Sequence, residues 1–326
     1  MSQSHPNPAA GIAFMLIGIT AISVNDMLIK FLSGGYPLHQ MVFTRSLIGI
    51  CFSLILVQFE GGWTILRTAR PGLHILRGLM IVVANMSFFT ALAALSLAET
   101  TATFFISPLL ITLLSIPFLG EKVGPYRIGA VVIGLIGVII VTRPWEGLTN
   151  REAPLFVYFL PVAGAFAYAT TQLLTRKLGV TSRASALAVY LQGTFLVVSS
   201  LFWLVAGDGR FAEKVDSPSL EFLLREWMWP VGNDLWLFLL LGLIAGVVGY
   251  CMSAAYRMSN AATVAPFEYT GLPLAIFWGW TIFGDLPDLV TTTGILLILG
   301  AGLFVFLRER RLGRPVASGR RTQKRM

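Results

Sequence analysis

The sequence predicts an all-α integral membrane protein with ten transmembrane helices, and three observations support that fold class. Hydrophobic residues make up 56% of the 326 residues and charged residues only 12%, whereas a soluble globular domain carries about 25% charged residues. The apolar residues are gathered into ten stretches of membrane-spanning length. The second half of the chain also repeats features of the first half.

A helix needs about 20 apolar residues to cross the hydrocarbon core of a bilayer. By that measure the predicted spans are 11–32, 37–58, 73–95, 99–119, 126–142, 155–174, 184–205, 235–256, 261–283 and 288–307. The basic terminus 308–326 and the polar terminus 1–10 are predicted tails, and we expect the basic one to be disordered. The first run has no basic stretch before it, so we expect a retained span rather than a cleaved signal.

The longest connection is 206–234, which contains the run SLEFLLREWMW. One helical face of this run collects apolar side chains, namely Leu220, Leu223, Leu224, Trp227 and Met228. We therefore expect a short helix that lies on the membrane surface, in a loop on the outer side.

The distribution of Lys and Arg predicts the orientation, because cytoplasmic loops are enriched in both. With both termini inside, sixteen of the 24 basic residues fall on the cytoplasmic side, five on the opposite side and three within spans. Eight of the sixteen lie in the tail 308–326. In a membrane protein such a tail indicates contact with anionic lipid headgroups rather than binding of nucleic acid.

The chain resembles itself at two places. Residues 98–121 can be laid over 262–285, since both segments begin at alanine, contain proline and end in glycine followed by a carboxylate. Two halves of five spans, 11–142 and 155–307, must have opposite orientation because five is odd. This arrangement predicts an inverted repeat, the plan of many secondary transporters, with the substrate site between the repeats near the midplane.

The same residues resemble a known family. The proline-containing fourth span that closes on "GE", the glycine-rich fifth span and the run "NDMLIKFL" followed by "FTRSL" are similar to the EamA-type repeat of the drug/metabolite transporter superfamily, in particular to bacterial carriers of riboflavin and S-adenosylmethionine. The resemblance covers about residues 10–308. It implies ten helices as a five-plus-five inverted repeat, a central cavity and transport of a small organic metabolite.

Acidic residues are scarce within the predicted spans, which makes Asp26 and Glu268 informative. Asp26 in the first span and Arg45 in the second lie at similar depth and are expected to form a charge pair. Two interpretations stay open: the pair binds a polar substrate, or it only fixes the two helices together. Lys30, one turn further, is expected to extend its ammonium into the outer water layer.

Glu268 lies between Pro266 and Pro273 on a helix that we expect to be bent. Such a carboxylate is a candidate for contact with the substrate or for proton coupling, and Asp26 is the second coupling candidate. Tyr269 and Trp278 would add ring surface for a flat or cationic ligand. Arg77 is expected either to reach the inner water layer or to pair with Glu268. Asn85 and Gln172 are neutral candidates for lining the cavity.

The sequence therefore predicts a secondary transporter, multi-pass in the inner membrane of a bacterium, that moves a vitamin such as riboflavin, S-adenosylmethionine or an amino-acid-like metabolite by alternating access. The chain has no P-loop motif for ATP. Cys51 and Cys251 are isolated and the three histidines are scattered, so we expect no disulfide, metal site, cofactor or nucleic-acid partner. The alternative is an integral-membrane enzyme that modifies a lipid or a lipid-linked substrate. The oligomeric state is left open.

Overall fold

The structure is a computed structural model that describes residues 8–119, 124–143, 145, 153–178, 183–212, 217–258 and 265–311. All the regular structure in these ranges is helical. The helices are α1 (Pro8–Leu32), α2 (Leu38–Glu60), α3 (Pro71–Leu92), α4 (Leu97–Phe104), α5 (Ser107–Leu119), α6 (Pro125–Thr142), α7 (Leu155–Leu178), α8 (Ala184–Ala206), α9 (Pro218–Leu224), α10 (Asp234–Met258), α11 (Gly271–Trp278) and α12 (Leu289–Arg311). Short 3₁₀ turns cover Trp63–Leu66 and Ala265–Thr270.

Seven stretches in the described part of the chain are long and apolar enough to cross a membrane. They are Ala9–Leu32, Leu38–Glu60, Pro71–Leu92, Leu97–Phe118, Leu155–Thr175, Ser185–Ala206 and Asp234–Met252. Two shorter apolar helices, Ile128–Thr142 and Leu289–Val305, correspond to the predicted fifth and tenth spans. Large apolar side chains such as Ile17, Leu204 and Leu296 are exposed on the helix surfaces. This apolar exterior indicates an integral membrane protein.

The predicted fourth and ninth spans are both interrupted. The fourth is divided at Phe105 and Ile106 into α4 and α5, as the Pro108 next to the break favours. Ser96 caps the start of α4, because its hydroxyl accepts a hydrogen bond from the backbone N–H of Glu99 and donates one to the Glu99 carboxylate. The described part of the ninth consists of the 3₁₀ turn Ala265–Thr270, then α11, then a π-helical turn.

Helix pairs from the two halves of the chain make the most extensive contacts. These pairs are α1 with α10, α3 with α7, α2 with α8, and α6 with α12. Glycine allows the closest of these approaches: a Cβ atom on Gly137 of α6 would lie 2.9 Å from the carbonyl oxygen of Gly294 on α12. The Gly242 and Gly246 pair on α10 likewise receives Ile48 and Phe52 of α2. Small residues thus permit the helices to pack at backbone distance.

One end of the bundle, here named the strap end, carries the α1–α2 turn, the α3–α4 turn and the segment Ser217–Val231, here named the strap. The expected surface helix is present as α9, but it ends at Leu224. It buries Ser219 and Phe222. Phe222 is 1% exposed and lies in the main core cluster with Leu38, Phe89 and Leu92. The predicted short helix is therefore present, and it packs one apolar side chain from outside the predicted apolar face into the end of the bundle. Its position on the membrane surface stays a prediction.

The boundaries of both predicted tails differ from the structure. Helix α1 begins at Pro8, inside the predicted tail 1–10, and α12 continues to Arg311. The remainder of both predicted tails lies outside the described residues, as does the fourth span's closing pair, Gly120 and Glu121.

Candidate functional site

Arg45 of α2 forms the centre of a buried polar cluster. Its side chain is 8% exposed, and its Nη2 donates a hydrogen bond to Asn85 Oδ1 of α3 at 2.6 Å. Asn85 is itself held by a bond from its Nδ2 to the Ile81 carbonyl at 3.2 Å. The guanidinium is thus fixed by a neighbour whose own orientation is fixed by the helix backbone.

Asp26 is connected to this cluster through Asn25. Arg45 Nη1 donates to Asn25 Oδ1 at 3.4 Å, and Asn25 Nδ2 donates to Asp26 Oδ1 at 3.0 Å. Among the described residues the pair of Asp26 and Arg45 is not a direct ion pair within 4.0 Å. The direct contact expected from their matched depth is therefore replaced by a bridge through an amide, which separates the charges while keeping them linked.

Aromatic rings enclose the guanidinium and continue away from it. Its carbon lies 5.5 Å from the ring centre of Phe89 and 5.4 Å from that of Phe195, within the range of cation–π attraction. From Phe89 the rings continue at centroid distances of 5.2, 5.1 and 5.4 Å, through Phe88, Phe104 and Tyr168. This series of rings, here named the aromatic series, connects α2 and α3 to α7.

A second polar cluster lies at the far end of the aromatic series. Tyr168 is hydrogen-bonded to Gln172, one turn further along α7, and the charge of Glu268 acts on the hydroxyl groups of both Tyr168 and Tyr269. Tyr269 is packed against Phe105 at 5.6 Å, and its hydroxyl lies against Gly302 of α12. The structure therefore brings Gln172, Glu268 and Tyr269 together.

The remaining predicted residue, Trp278, lies near the Arg45 cluster. Its Nε1 donates to Ser23 Oγ at 3.3 Å, two residues before Asn25 on α1. The ring is partly buried against the main core cluster. Asp26, Arg45, Asn85 and Trp278 thus form one group and Gln172, Glu268 and Tyr269 the other.

Two basic residues do not behave as the sequence suggested. Lys30 Nζ turns inward and donates to the carbonyls of Leu92, at the end of α3, and Leu95, in the turn that follows, at 3.2 and 2.5 Å. Carbonyls at the end of a helix lack partners within it. Arg77 is 7% exposed. It donates to Thr175 Oγ1 at 2.7 Å and to the Leu187 carbonyl at 3.2 Å. Neither residue extends into water, and Arg77 joins α3 to α7 and α8 instead of pairing with Glu268.

A separate ion pair closes the strap end between α6 and α12. Arg143 donates to both carboxylate oxygens of Asp288, in the turn before α12, and to Thr291 Oγ1 at 3.1 Å. The hydrogen bond from Arg143 holds the pKa of Asp288 at about 2. This carboxylate stays ionised throughout the physiological range and is therefore no candidate for proton coupling.

Sequence reasoning missed Tyr168 and the bridging role of Asn25. Tyr168 precedes Gln172 by one helical turn, so the two residues share a face, and that spacing was the available signal. Asn25 is adjacent to Asp26, and successive residues of a helix lie about 100° apart around its axis. The short amide nevertheless reaches along the helix surface to the Asp26 carboxylate.

Comparisons with known proteins agree with this architecture. The model of the EamA-like transporter family matches residues 9–143. A riboflavin transporter of Rhizobium johnstonii is 31% identical over 308 residues, covering 94% of this chain and 92% of the relative. An S-adenosylmethionine uptake transporter of Rickettsia felis is 26% identical over 311 residues, covering 95% and 97%. A riboflavin transporter of Vibrio cholerae is 28% identical over 309 residues, covering 94% and 95%.

A crystal structure of a protein at 21% identity has the same fold, with a TM-score of 0.62 over 92% of this chain and 98% of that one. The full-length similarity to named transporters accords with an apolar helical bundle that holds buried polar clusters. This chain is a membrane transporter that belongs to the EamA-like transporter family.

Proposed function

We propose that the transporter carries a flat heteroaromatic metabolite across the inner membrane of a bacterium by alternating access, and that riboflavin is its first substrate to test. The observation that carries this proposal is the setting of Arg45. A guanidinium has five N–H donors, and two of these have acceptors among the described residues. The others are available to a ligand's carbonyl or hydroxyl oxygens.

The rings beside Arg45 suit the same ligand. A heteroaromatic ring system can stack on aromatic side chains, and such contacts contribute about 0.5–1.5 kcal/mol beyond burial. The aromatic series offers such surfaces from Phe89 to Tyr168. The relatives from Rhizobium johnstonii and Vibrio cholerae bear the name riboflavin transporter, which supports the choice of a flavin.

S-adenosylmethionine is the second candidate, because the Glu268 cluster favours a cation. A carboxylate close to Tyr168 and Tyr269 would attract a sulfonium group, and the Rickettsia felis relative is named for this substrate. A lipid-modifying enzyme is less favoured, since the relatives compared above bear transporter names. We propose that the carboxylate that takes up and releases the coupled proton is that of Asp26 or Glu268.

The topology that we propose has ten spans in two inverted repeats, 11–142 and 155–307, with both termini in the cytoplasm. The helix contacts support it. Exchanging the two repeats relates α1 to α7 and α3 to α10, which turns the α1–α10 pair into the α7–α3 pair, and both pairs pack extensively. The same exchange maps the α2–α8 pair onto itself and the α6–α12 pair onto itself. It also makes the interrupted fourth span equivalent to the interrupted ninth. The basic tail then places the strap end outside.

A competition assay tests the substrate proposal. The purified full chain is reconstituted into proteoliposomes that contain unlabelled riboflavin, and entry of labelled riboflavin is followed while S-adenosylmethionine, amino acids or flavin analogues are added outside. The proposal expects tracer entry that riboflavin and its analogues inhibit. Entry of labelled S-adenosylmethionine with no flavin transport would favour the second candidate, and transport of neither compound would overturn the proposed substrate class.

A further inference from the structure

The strap is fastened across the bundle by contacts with the turn between α1 and α2 and the start of α2. Gln40 uses both ends of its amide on Met228: its Nε2 donates to the Met228 carbonyl at 2.5 Å and its Oε1 accepts from the Met228 N–H at 3.2 Å. Arg225 Nη1 donates to the Ser33 carbonyl at 3.0 Å. The strap leaves from α8 and returns to α10, so it ties the second half of the chain to the first.

A small cavity between α2, α3 and α8 extends from His39, which contacts the strap, to Asn85, which contacts Arg45. His39 lines this cavity at the strap side and is hydrogen-bonded through Nδ1 to the Leu223 carbonyl at 3.1 Å. Asn85, the partner of Arg45, lines the same cavity. Its volume is about 10 Å³, close to the minimum for one water molecule. With the strap in place, this route to the Arg45 cluster is therefore too narrow for an organic metabolite.

The seat of the strap is imperfectly satisfied. Four buried polar atoms at this seat lack a hydrogen-bond partner among the described residues: His39 Nε2, Ser217 Oγ, Ser219 Oγ and Trp227 Nε1. Buried polar groups are ordinarily paired, and an unpaired one destabilises the state that buries it. Lifting the strap would expose these unpaired atoms to water, which favours the open state. Burial of Phe222 and the hydrogen bonds of Gln40 and Arg225 favour the closed state.

We propose that the strap is the gate through which substrate reaches Arg45 from the strap end of the bundle. In the closed state Phe222 is buried in the main core cluster beside Leu38, which also lines the cavity, and the hydrogen bonds of Gln40 and Arg225 hold the strap in place. Opening releases these contacts and widens the cavity between His39 and Asn85. That substrate passes this gate to reach Arg45 rests on the proposed function, and its placement outside the cell rests on the proposed topology. The opening of the strap rests on neither.

The rate at which a cysteine in the cavity is labelled tests the gate without any substrate. Ser199 lines the cavity and is 4% exposed. The full chain with Cys51→Ala, Cys251→Ala and Ser199→Cys is purified in detergent and treated with a charged maleimide. Adding Gln40→Leu removes both bonds to Met228. Labelling should become on the order of tenfold faster, as expected when hydrogen bonds that close a state are lost.

Two controls separate opening from unfolding. Ser53, also on α2 but outside the cavity, is 7% exposed, and Ser53→Cys should be labelled equally slowly with and without Gln40→Leu. Trp229→Ala changes a strap side chain that is 88% exposed and should leave the labelling of Ser199→Cys unchanged, whereas Arg225→Met should accelerate it. Acceleration by Gln40→Leu and Arg225→Met at Ser199→Cys alone supports the gate. Acceleration at both cysteines, or at neither, overturns it.

Discussion

Arg45 and Asn85 are joined by a 2.6 Å hydrogen bond from Nη2 to Oδ1, at the point where α2 meets α3 inside the bundle. The guanidinium carbon lies 5.5 Å from the ring centre of Phe89 and 5.4 Å from that of Phe195. Because Asn85 is itself bonded to the Ile81 carbonyl, the orientation of Arg45 is set before any ligand arrives. Preorganisation of this kind reduces the entropy lost on binding.

Asn85→Ala should therefore weaken substrate binding without unfolding the protein. A hydrogen bond to a charged group contributes about 1.5–3 kcal/mol, so KM for transport should rise about tenfold or more. The measurement is the concentration dependence of tracer entry into proteoliposomes.

Asn233→Ala is the matched control for this change, because Asn233 is exposed in the turn before α10. It should leave KM unchanged. An unchanged KM in Asn85→Ala, with the same amount of folded carrier, would remove Asn85 from the binding site.

Asp26→Asn should impair transport while the yield of folded protein is retained. The amide keeps an oxygen that can accept the bond from Asn25, so the helix contact survives, but the negative charge that balances Arg45 is lost. We expect tracer exchange to fall by about tenfold, the effect of a change near 1.4 kcal/mol. Asp208→Asn, at an exposed ion pair with Arg210, is the control. Wild-type exchange by Asp26→Asn would assign the residue to the fold alone.

Glu268→Gln should separate proton-driven accumulation from exchange. If Glu268 carries the coupled proton, its removal abolishes the response to a pH gradient, whereas exchange of labelled for unlabelled substrate needs no proton and continues. Both are measured in the same proteoliposomes, with and without an imposed gradient. Accumulation that persists at the wild-type level in Glu268→Gln would leave Asp26 as the coupling candidate.

Gly137→Ala should destabilise the bundle, in contrast to most glycine replacements within helices. The added methyl would lie 2.8 Å from Ile298 Cγ1 and 2.9 Å from the Gly294 carbonyl oxygen, so the backbones of α6 and α12 must separate. Overpacking of this kind costs about 1–3 kcal/mol, visible as a lower Tm in detergent. Gly129→Ala, on the same helix with open space around it, should maintain or raise Tm because alanine favours helix. An equal Tm for both variants would contradict the tight crossing.

Much of the helical architecture could be predicted from the sequence, because a long apolar run indicates a helix surrounded by lipid and protein rather than by water. The first three spans and the seventh agree with α1, α2, α3 and α8 to within a few residues. The interruption beside Pro108 was also accessible, since proline removes a backbone donor. The insertion of α9 was not, because Phe222 is buried by contacts with distant helices that its local pattern does not encode.

The sequence pointed to residues of the polar clusters but not to the contacts between them. Matched depth along two helices predicted a direct pair of Asp26 and Arg45. Depth gives no rotation about the helix axis, so it could not predict that Asn25 lies between them. Lys30 was assigned to water because its side chain is long enough to reach it. The carbonyls of Leu92, at the end of α3, and of Leu95, in the turn between α3 and α4, compete for the same ammonium.

The most direct test of whether the buried guanidinium binds substrate is to measure riboflavin exchange by the Arg45→Met variant in proteoliposomes. Wild-type carrier and Arg210→Met, which changes an exposed loop arginine that pairs with Asp208, should both accumulate labelled riboflavin against preloaded unlabelled riboflavin. Arg45→Met should lose this accumulation at least about tenfold, as expected for loss of charge-assisted hydrogen bonds, with an unchanged gel-filtration profile. Retention of the wild-type rate and KM by Arg45→Met would contradict the proposal that Arg45 binds the substrate.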